Sequence, residues 1–274
     1  MAAPSGWLAE RLLRGRLEQS AAKARAWRKP RCSPNRRAGA VRCEPSRARI
    51  RRRRDFGEPV SAQRVRGAIL DRVVKNGKSR GVAGRPRSFD VDQVLGQAMF
   101  VFWKKGYEAT GLVDLEHATG LGRQSLYGVF GDKRGLFLAV VEHYFQRVLE
   151  PGFAVLDAPG SARANLERIF DAWEATAIAP EFHGCLVGNS VPEFGSTDLE
   201  VSAVLRRKLE LMEAAFARAL RRAKKDGEVS AGLDVNGTAR SLLTLAQGLA
   251  VVARANRDPA FVHSVVQTAR SLLS

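Results

Sequence analysis

Between residues 89 and 273 the apolar positions recur at spacings of three and four, the period of a helix seen from one side. Val91, Val94, Leu95, Ala98, Met99, Phe102 and Trp103 form the first such stripe, with Asp90 ahead of it as N-cap and Gly106 behind it, predicting a helix over 91–105. A short helix over 112–119 follows, with Leu112, Leu115 and Ala118 inward. Gly120 and Gly122 make a tight turn, and a second short helix over 123–130 buries Leu126 and Phe130. Asp132 caps a longer helix over 133–149, and Pro151 with the Asp157–Gly160 run predicts a loop after it. Ser161 caps a helix to about 179, carrying Leu166, Ile169, Phe170 and Trp173 on one side. A helix over 185–194, a long one over 198–225, one over 234–256 and one over 259–273 complete the chain. Asp226 and Gly227 stop the long helix, whose last turn holds Arg221, Arg222, Lys224 and Lys225, where the helix dipole favours cations. No alternating strand pattern and no internal repeat interrupt this, so the fold class is all-α.

Charge changes the picture at the N-terminal side. The chain of 274 residues has a formal charge of +17, but residues 1–84 hold 23 Lys and Arg against 6 Asp and Glu, while the rest is balanced. The excess therefore says nothing about the helical part. Residues 1–84 are rich in Arg, Ala, Gly, Ser and Pro, and Arg51–Arg54 offer no face to bury. Such a composition predicts a disordered basic extension, with a fraying helix over 8–26 at most. It reads either as a solvated tail, even one translated from a start assigned too early, or as an arm adding non-specific affinity for DNA.

The three cysteines, Cys32, Cys43 and Cys185, form neither a disulfide framework nor a zinc pattern, and reduced cytoplasmic use is the simple expectation. No apolar run is long enough to span a membrane, and the N-terminal apolar stretch is broken by Glu10, Arg11 and Arg14. The sequence has no HExxH, GxSxG or P-loop motif, and Glu142-His143 reads as a surface pair. No catalytic residue, cofactor or metal is expected.

Two short helices about a tight turn can set the second into the major groove of DNA. In the segment Thr110–Lys133 the second of them opens with Arg123, Gln124 and Ser125. Arg123 matches guanine O6 and N7, and Gln124 matches adenine N6 and N7. Tyr127 offers a hydroxyl to phosphate, Lys133 stands at a helix start that also attracts phosphate, and Thr110 either caps the first short helix or touches phosphate. Arg85 and Arg87 form a short basic arm for the backbone or a minor groove. Each of these polar residues alone also reads as ordinary solvated helix surface; the spacing that joins them favours DNA. The stretch from Arg85 to His143 has equal numbers of basic and acidic residues, so binding there depends on where the bases stand.

The runs GRPRSFD, FWKKGYEAT and LEHATGLGRQSLYGVFGDKRGLF resemble the DNA-binding domain of TetR-type transcriptional regulators. The GCLVGNS run and the GE-V-x(4)-D spacing resemble that family's C-terminal region. The resemblance covers residues 85–274. It implies a helix-turn-helix DNA-binding domain over 85–145 and a larger helical ligand-binding and dimerisation domain over 146–274, after the extension over 1–84. It also implies a homodimer on a near-palindromic operator, usually a repressor, released by a small-molecule effector. Three positions depart from the family: Gly128 stands where a larger residue touches or packs on DNA, Gly122 where a small hydroxyl residue caps the second helix, and Leu112-Val113 at a usually more polar helix start.

For the effector, Phe170, Trp173, Phe182, His183, Cys185, Asn189 and Met212 are the candidate lining, together with Ile169 and Phe194; plain core packing is the other reading of each. The helices over 198–225 and 234–256, with Ala214, Ala215, Ala219, Gly237, Ala239, Ala246, Gly248 and Ala250, are expected to form the dimer face. Two rival readings belong to other classes. One is a helical module for protein or lipid with the helix-turn-helix as scaffold, and the other an enzyme of unrecognised type.

Overall fold

The computed structural model describes residues 89–195 and 197–274; the extension over 1–84, Arg85 and Arg87 lie outside the described residues. The regular structure of the described residues is all helical. In chain order they form α1 (Val91–Lys105), α2 (Leu112–Thr119), α3 (Arg123–Phe130), α4 (Lys133–Tyr144), a π-helical turn (Phe145–Leu149) and α5 (Glu150–Leu156). There follow α6 (Ala162–Ala177), α7 (Leu186–Phe194), α8 (Leu199–Lys225), α9 (Val235–Val252) and α10 (Pro259–Ser271).

The starts of these helices follow the short polar residues of the sequence. Asp90, Asp132, Ser161, Asp198, Asp234 and Asp258 each accept a backbone N–H of the first turn that follows. Two expectations need correcting. Pro151 does not open a loop: the π-helical turn before it widens the helix, and Pro151 sits in the first turn of α5, where a missing N–H costs nothing. The loop comes after Leu156, at Asp157–Gly160. Helix α9 stops at Val252, with residues 253–255 in turns rather than helix.

Two hydrophobic clusters fill the described residues; the first crosses residue 145, and the second lies wholly after it. The first joins Val94, Phe102, Leu115, Leu126 and Leu136 of α1 to α4 with Leu186, Val187 and Phe194 of α7 and Val201 and Leu205 of α8. The second packs Leu166 and Phe170 of α6 on Phe216 and Leu220 of α8, Leu242 of α9 and Val262 of α10. Helix α8 thus runs from one cluster to the other. Of the small residues expected at the dimer face, Ala215, Ala219 and Ala239 are fully buried within the chain, while Ala214 and Gly248 are exposed.

The corner between α7 and α8 grips α4 and the turn between α1 and α2. Phe194 packs on Tyr107 and Phe137, with ring centroids 4.7 and 5.0 Å away. Glu193 accepts from the Glu108 N–H at 3.0 Å. Arg134, at the start of α4, donates two bonds to Asp198, at 2.6 and 3.0 Å, and one to Glu200 at 2.7 Å. That geometry raises the Arg134 pKa and holds the Asp198 carboxyl down to about 2. Deeper in, the buried Lys208 pairs with Glu142 at 2.5 Å and lies over the Phe145 ring.

Candidate nucleic-acid interface

Helix α2 ends at Gly120, whose φ of 67° is the left-handed turn that glycine adopts freely, and its N–H closes on the Glu116 carbonyl at 2.9 Å. Two residues later Gly122 begins α3. Leu126 is fully buried and Phe130 nearly so, which fixes the opposite face outward. Arg123, Gln124 and Ser125 are all exposed at the first turn of α3. Tyr127 is half-buried, with the Arg123 guanidinium over its ring at 5.8 Å. Gly128 is exposed, and a Cβ there would meet no atom within 4 Å.

Lys133 is half-buried on the next helix start, its ammonium 4.3 Å over the Tyr107 ring. Thr110 is the exception among the expected contacts. It is 1% exposed, and its hydroxyl donates back to the Gly106 carbonyl at 2.5 Å. The N-cap of α2 is Gly111 instead, whose N–H is bound by Asp114 at 3.0 Å. The Lys105 ammonium hydrogen-bonds the same carboxylate at 2.5 Å and is the main reason its pKa is lowered. The geometry therefore brings Arg123, Gln124, Ser125, Tyr127 and Gly128 together on one short outward helix with Lys133 beside it, and turns Thr110 inward.

Sequence reasoning missed the residue that closes the turn. Gly122 has no side chain to cap α3, and Glu116 of α2 does so across the turn, accepting from the Arg123 N–H at 2.7 Å. Nothing in the local pattern announced it, because the cap comes from a residue seven positions earlier and not from the N-cap itself.

The seven expected effector residues separate into two groups. Phe170 and Trp173 belong to the second cluster, where Trp173 packs edge-on against Phe216 at 5.8 Å. His183, Cys185, Asn189 and Met212 gather around the start of α7, and Phe182 touches both clusters. Tyr144 hydrogen-bonds Cys185, and complete burial pushes its phenol pKa well up. His183 stands edge-on to Phe100 and Trp103; burial first, then the nearby Lys104, Arg254 and Arg257, lower its pKa. Gln247 of α9, absent from the expected set, donates to the Met212 sulfur at 3.9 Å and lies so close to Gly188 that a Cβ there would sit 2.1 Å from its oxygen. The side-chain oxygens of Asn189 and Gln247 are buried and meet no donor. A half-open groove of about 110 Å³ lies elsewhere, between α7 and α8, lined by Val191, Gly195, Ser202, Leu205, Arg206 and Leu209. It includes none of the seven.

Among the described residues no cluster of three or more His, Cys, Asp or Glu is placed to hold a metal ion, and no helix is long and apolar enough to cross a membrane.

Residues 94–140 match the model of bacterial regulatory proteins of the tetR family, and residues 160–269 match that of the tetracyclin repressor-like C-terminal domain. The uncharacterized HTH-type transcriptional regulator YezE of Bacillus subtilis is 34% identical over 192 residues, which is 69% of this chain and 99% of that protein. The HTH-type transcriptional repressor ComR of Escherichia coli is 31% identical over 185 residues, covering 65% of this chain and 84% of ComR. Among solved structures, a cysteine mutant of the TetR family transcriptional regulator CifR, complexed with 26-bp double-strand operator DNA, is 33% identical. It covers 67% of this chain and 98% of its own, with a TM-score of 0.58.

Proposed function

We propose that this protein, which belongs to the TetR family of DNA-binding transcriptional regulators, acts as a homodimeric repressor that a small molecule releases from its operator. The family is one of regulators, not enzymes. The observation that carries the reading is the first turn of α3, where Arg123, Gln124 and Ser125 stand exposed side by side on a helix whose other face is locked into the core. These three read base edges in the major groove. Tyr127 and Lys133 hold phosphates, and swing there from their resting contacts over aromatic rings. Gly128 lets the backbone approach the DNA closely. Arg85 and Arg87 extend the contact along the backbone or into a minor groove, and the basic residues over 1–84 add salt-sensitive affinity. Thr110 takes no part. Residues 85–145 serve as the DNA-binding unit and 146–274 as the regulatory one, in the cytoplasm.

The charges on the outer faces support a dimer seam on α9 and α10. Helix α8 exposes Arg206, Arg207, Glu210, Arg218 and Arg221, a solvated face. Helix α9 exposes Ser241, Thr244, Gly248, Val251 and Val252 beside Arg240, which pairs with Glu213, and α10 exposes Ala260, His263, Ser264, Gln267, Thr268 and Ser271, so fewer charges stand on this side than on α8. Pairing α9 and α10 with their two-fold mates buries this sparsely charged surface, with Arg240 held by Glu213, and sets two α3 helices for a near-palindromic site.

The effector acts where α7, α8 and α9 meet, beside Cys185, Asn189, Met212 and Gln247, with Phe182 and His183 at the mouth. The two unpartnered amide oxygens support a ligand with hydrogen-bond donors. Phe170 and Trp173 serve the core. A ligand between α7 and α9 shifts the α7–α8 corner, and with it Phe194, Glu193 and Asp198, which hold α4 and the turn between α1 and α2. A coupling of about 1–3 kcal/mol is typical of such linkage. Sedimentation of the full chain with a palindromic duplex selected from a random library tests the assembly. Two protomers or a multiple of two per duplex are expected; a single protomer bound at full occupancy would refute the dimeric reading.

A further inference from the structure

The recognition helix begins without a side-chain cap of its own, because Gly122 has none to offer. Glu116 supplies one from α2, at 2.7 Å from the Arg123 nitrogen. The Ser125 and Leu126 N–H groups bind the Gly122 carbonyl at 2.9 and 3.1 Å. Of the four N–H groups that a helix start leaves open, those of Arg123 and Ser125 are thus already taken. A helix N-terminus ordinarily draws phosphate through its free N–H groups and its dipole. Here a carboxylate fills that place, on the helix whose exposed side chains face outward for base edges.

We infer that Glu116 is a positioning residue for sequence-specific DNA binding, with two effects. It ties the start of α3 to α2, so that Arg123, Gln124 and Ser125 are presented at one fixed register. Its charge bars the DNA backbone from the end of α3 and so penalises the non-specific mode, in which phosphates take whatever anion site is open, more than the specific one. The inference rests on the reading of α3 as the recognition helix.

The test uses the full chain and two probes: the duplex that the wild-type protein selects from a randomised library, and poly(dI–dC). Glu116→Ala is expected to weaken binding to the selected duplex by roughly tenfold, as loss of a helix cap in each of two protomers would. Adding Gly122→Ser, which puts an ordinary capping hydroxyl at the helix start, restores most of that loss. Glu116→Gln keeps an acceptor and removes the charge. It is expected to hold the selected duplex within about threefold while binding poly(dI–dC) at least about threefold more tightly. A cap without an electrostatic role would leave the ratio of the two affinities unchanged in Glu116→Gln. That result would overturn the inference, as would wild-type affinity in Glu116→Ala, or no recovery with Gly122→Ser in a chain that melts like wild type. Failure of the wild-type protein to select any sequence would instead sink the recognition-helix reading, and this inference with it.

Discussion

Replacing Phe194 with Ala should loosen the hold of the C-terminal helices on the helix-turn-helix segment more than any other single truncation at the α7–α8 corner. Phe194 is 4% exposed, stacks on Phe137 at 5.0 Å and tilts onto Tyr107 at 4.7 Å; Phe137 in turn meets Phe102 edge-on at 5.3 Å. Its neighbours Tyr107 and Phe137 belong to the α1–α2 turn and to α4, so the ring is shared between the two halves. Truncating a buried Phe to Ala typically costs about 3–5 kcal/mol, through lost burial and the cavity left behind. The two ring pairs here place Phe194 in the upper part of that range, since each adds about 0.5–1.5 kcal/mol beyond area. Urea denaturation followed by tryptophan fluorescence reads the loss, because Trp103 lies in the same cluster. With a slope of about 3 kcal/mol per molar, a loss of about 4 kcal/mol moves the midpoint by more than about 1 M. Phe194→Leu, which fills most of the space, should cost about a third as much. Val113→Ala, at a position 76% exposed, should stay within about 0.5 kcal/mol. A Phe194→Ala loss under about 1 kcal/mol would refute the shared core and the coupling route built on it.

Gly135→Ala should destabilise by about 1–3 kcal/mol and weaken operator binding, because its Cβ would lie 2.1 Å from the Phe130 carbonyl oxygen at the end of α3; thermal melts and a gel shift check both effects. Gly128→Ala should stabilise by about 0.5–1 kcal/mol, since a methyl there meets nothing and a helical glycine carries extra unfolded-state entropy; a lower melting temperature would contradict it. Asp198, held down to about 2 chiefly by its bonds to Arg134, contributes stability that is complete above the ordinary carboxylate range and is lost as pH falls toward about 2. The stability gap between wild type and Asp198→Asn should therefore shrink between pH 5 and 2, as read by urea midpoints; a constant gap would mean the pair carries no net stabilisation.

Most of the helices were legible because their stripes are local. Asp90, Asp132, Ser161 and Asp198 announce helix starts within three residues, and Gly106 and Gly120 announce ends. The outward residues of α3 could be read for the same reason: burying Leu126 and Phe130 leaves only one direction for Arg123, Gln124 and Ser125. What stayed hidden depends on contacts between distant segments. Glu116 caps α3 from another helix, and Thr110 satisfies its hydroxyl on Gly106, which turns it away from DNA. Pro151 signals a break because a proline inside an α-helix loses a hydrogen bond, while the π-helical turn before it removes the conflict. Ala215 and Ala219 of α8 are buried inside their own chain while Ala214 is exposed, a distinction that composition does not carry. Gln247 had no local signal, since a single amide in the apolar run of α9 gains meaning only beside Gly188 and Met212.

The central claim is that α3 reads DNA sequence through Arg123 and its neighbours. Selection from a randomised duplex library with the full wild-type chain and with Arg123→Ala, at physiological salt, tests it most directly. The wild-type chain should enrich one near-palindromic sequence with a guanine in each half-site, and Arg123→Ala should lose the preference at that base pair, with affinity for the original duplex falling by about 1–3 kcal/mol per contact. Enrichment of the same sequence by both proteins, or by neither, would contradict it.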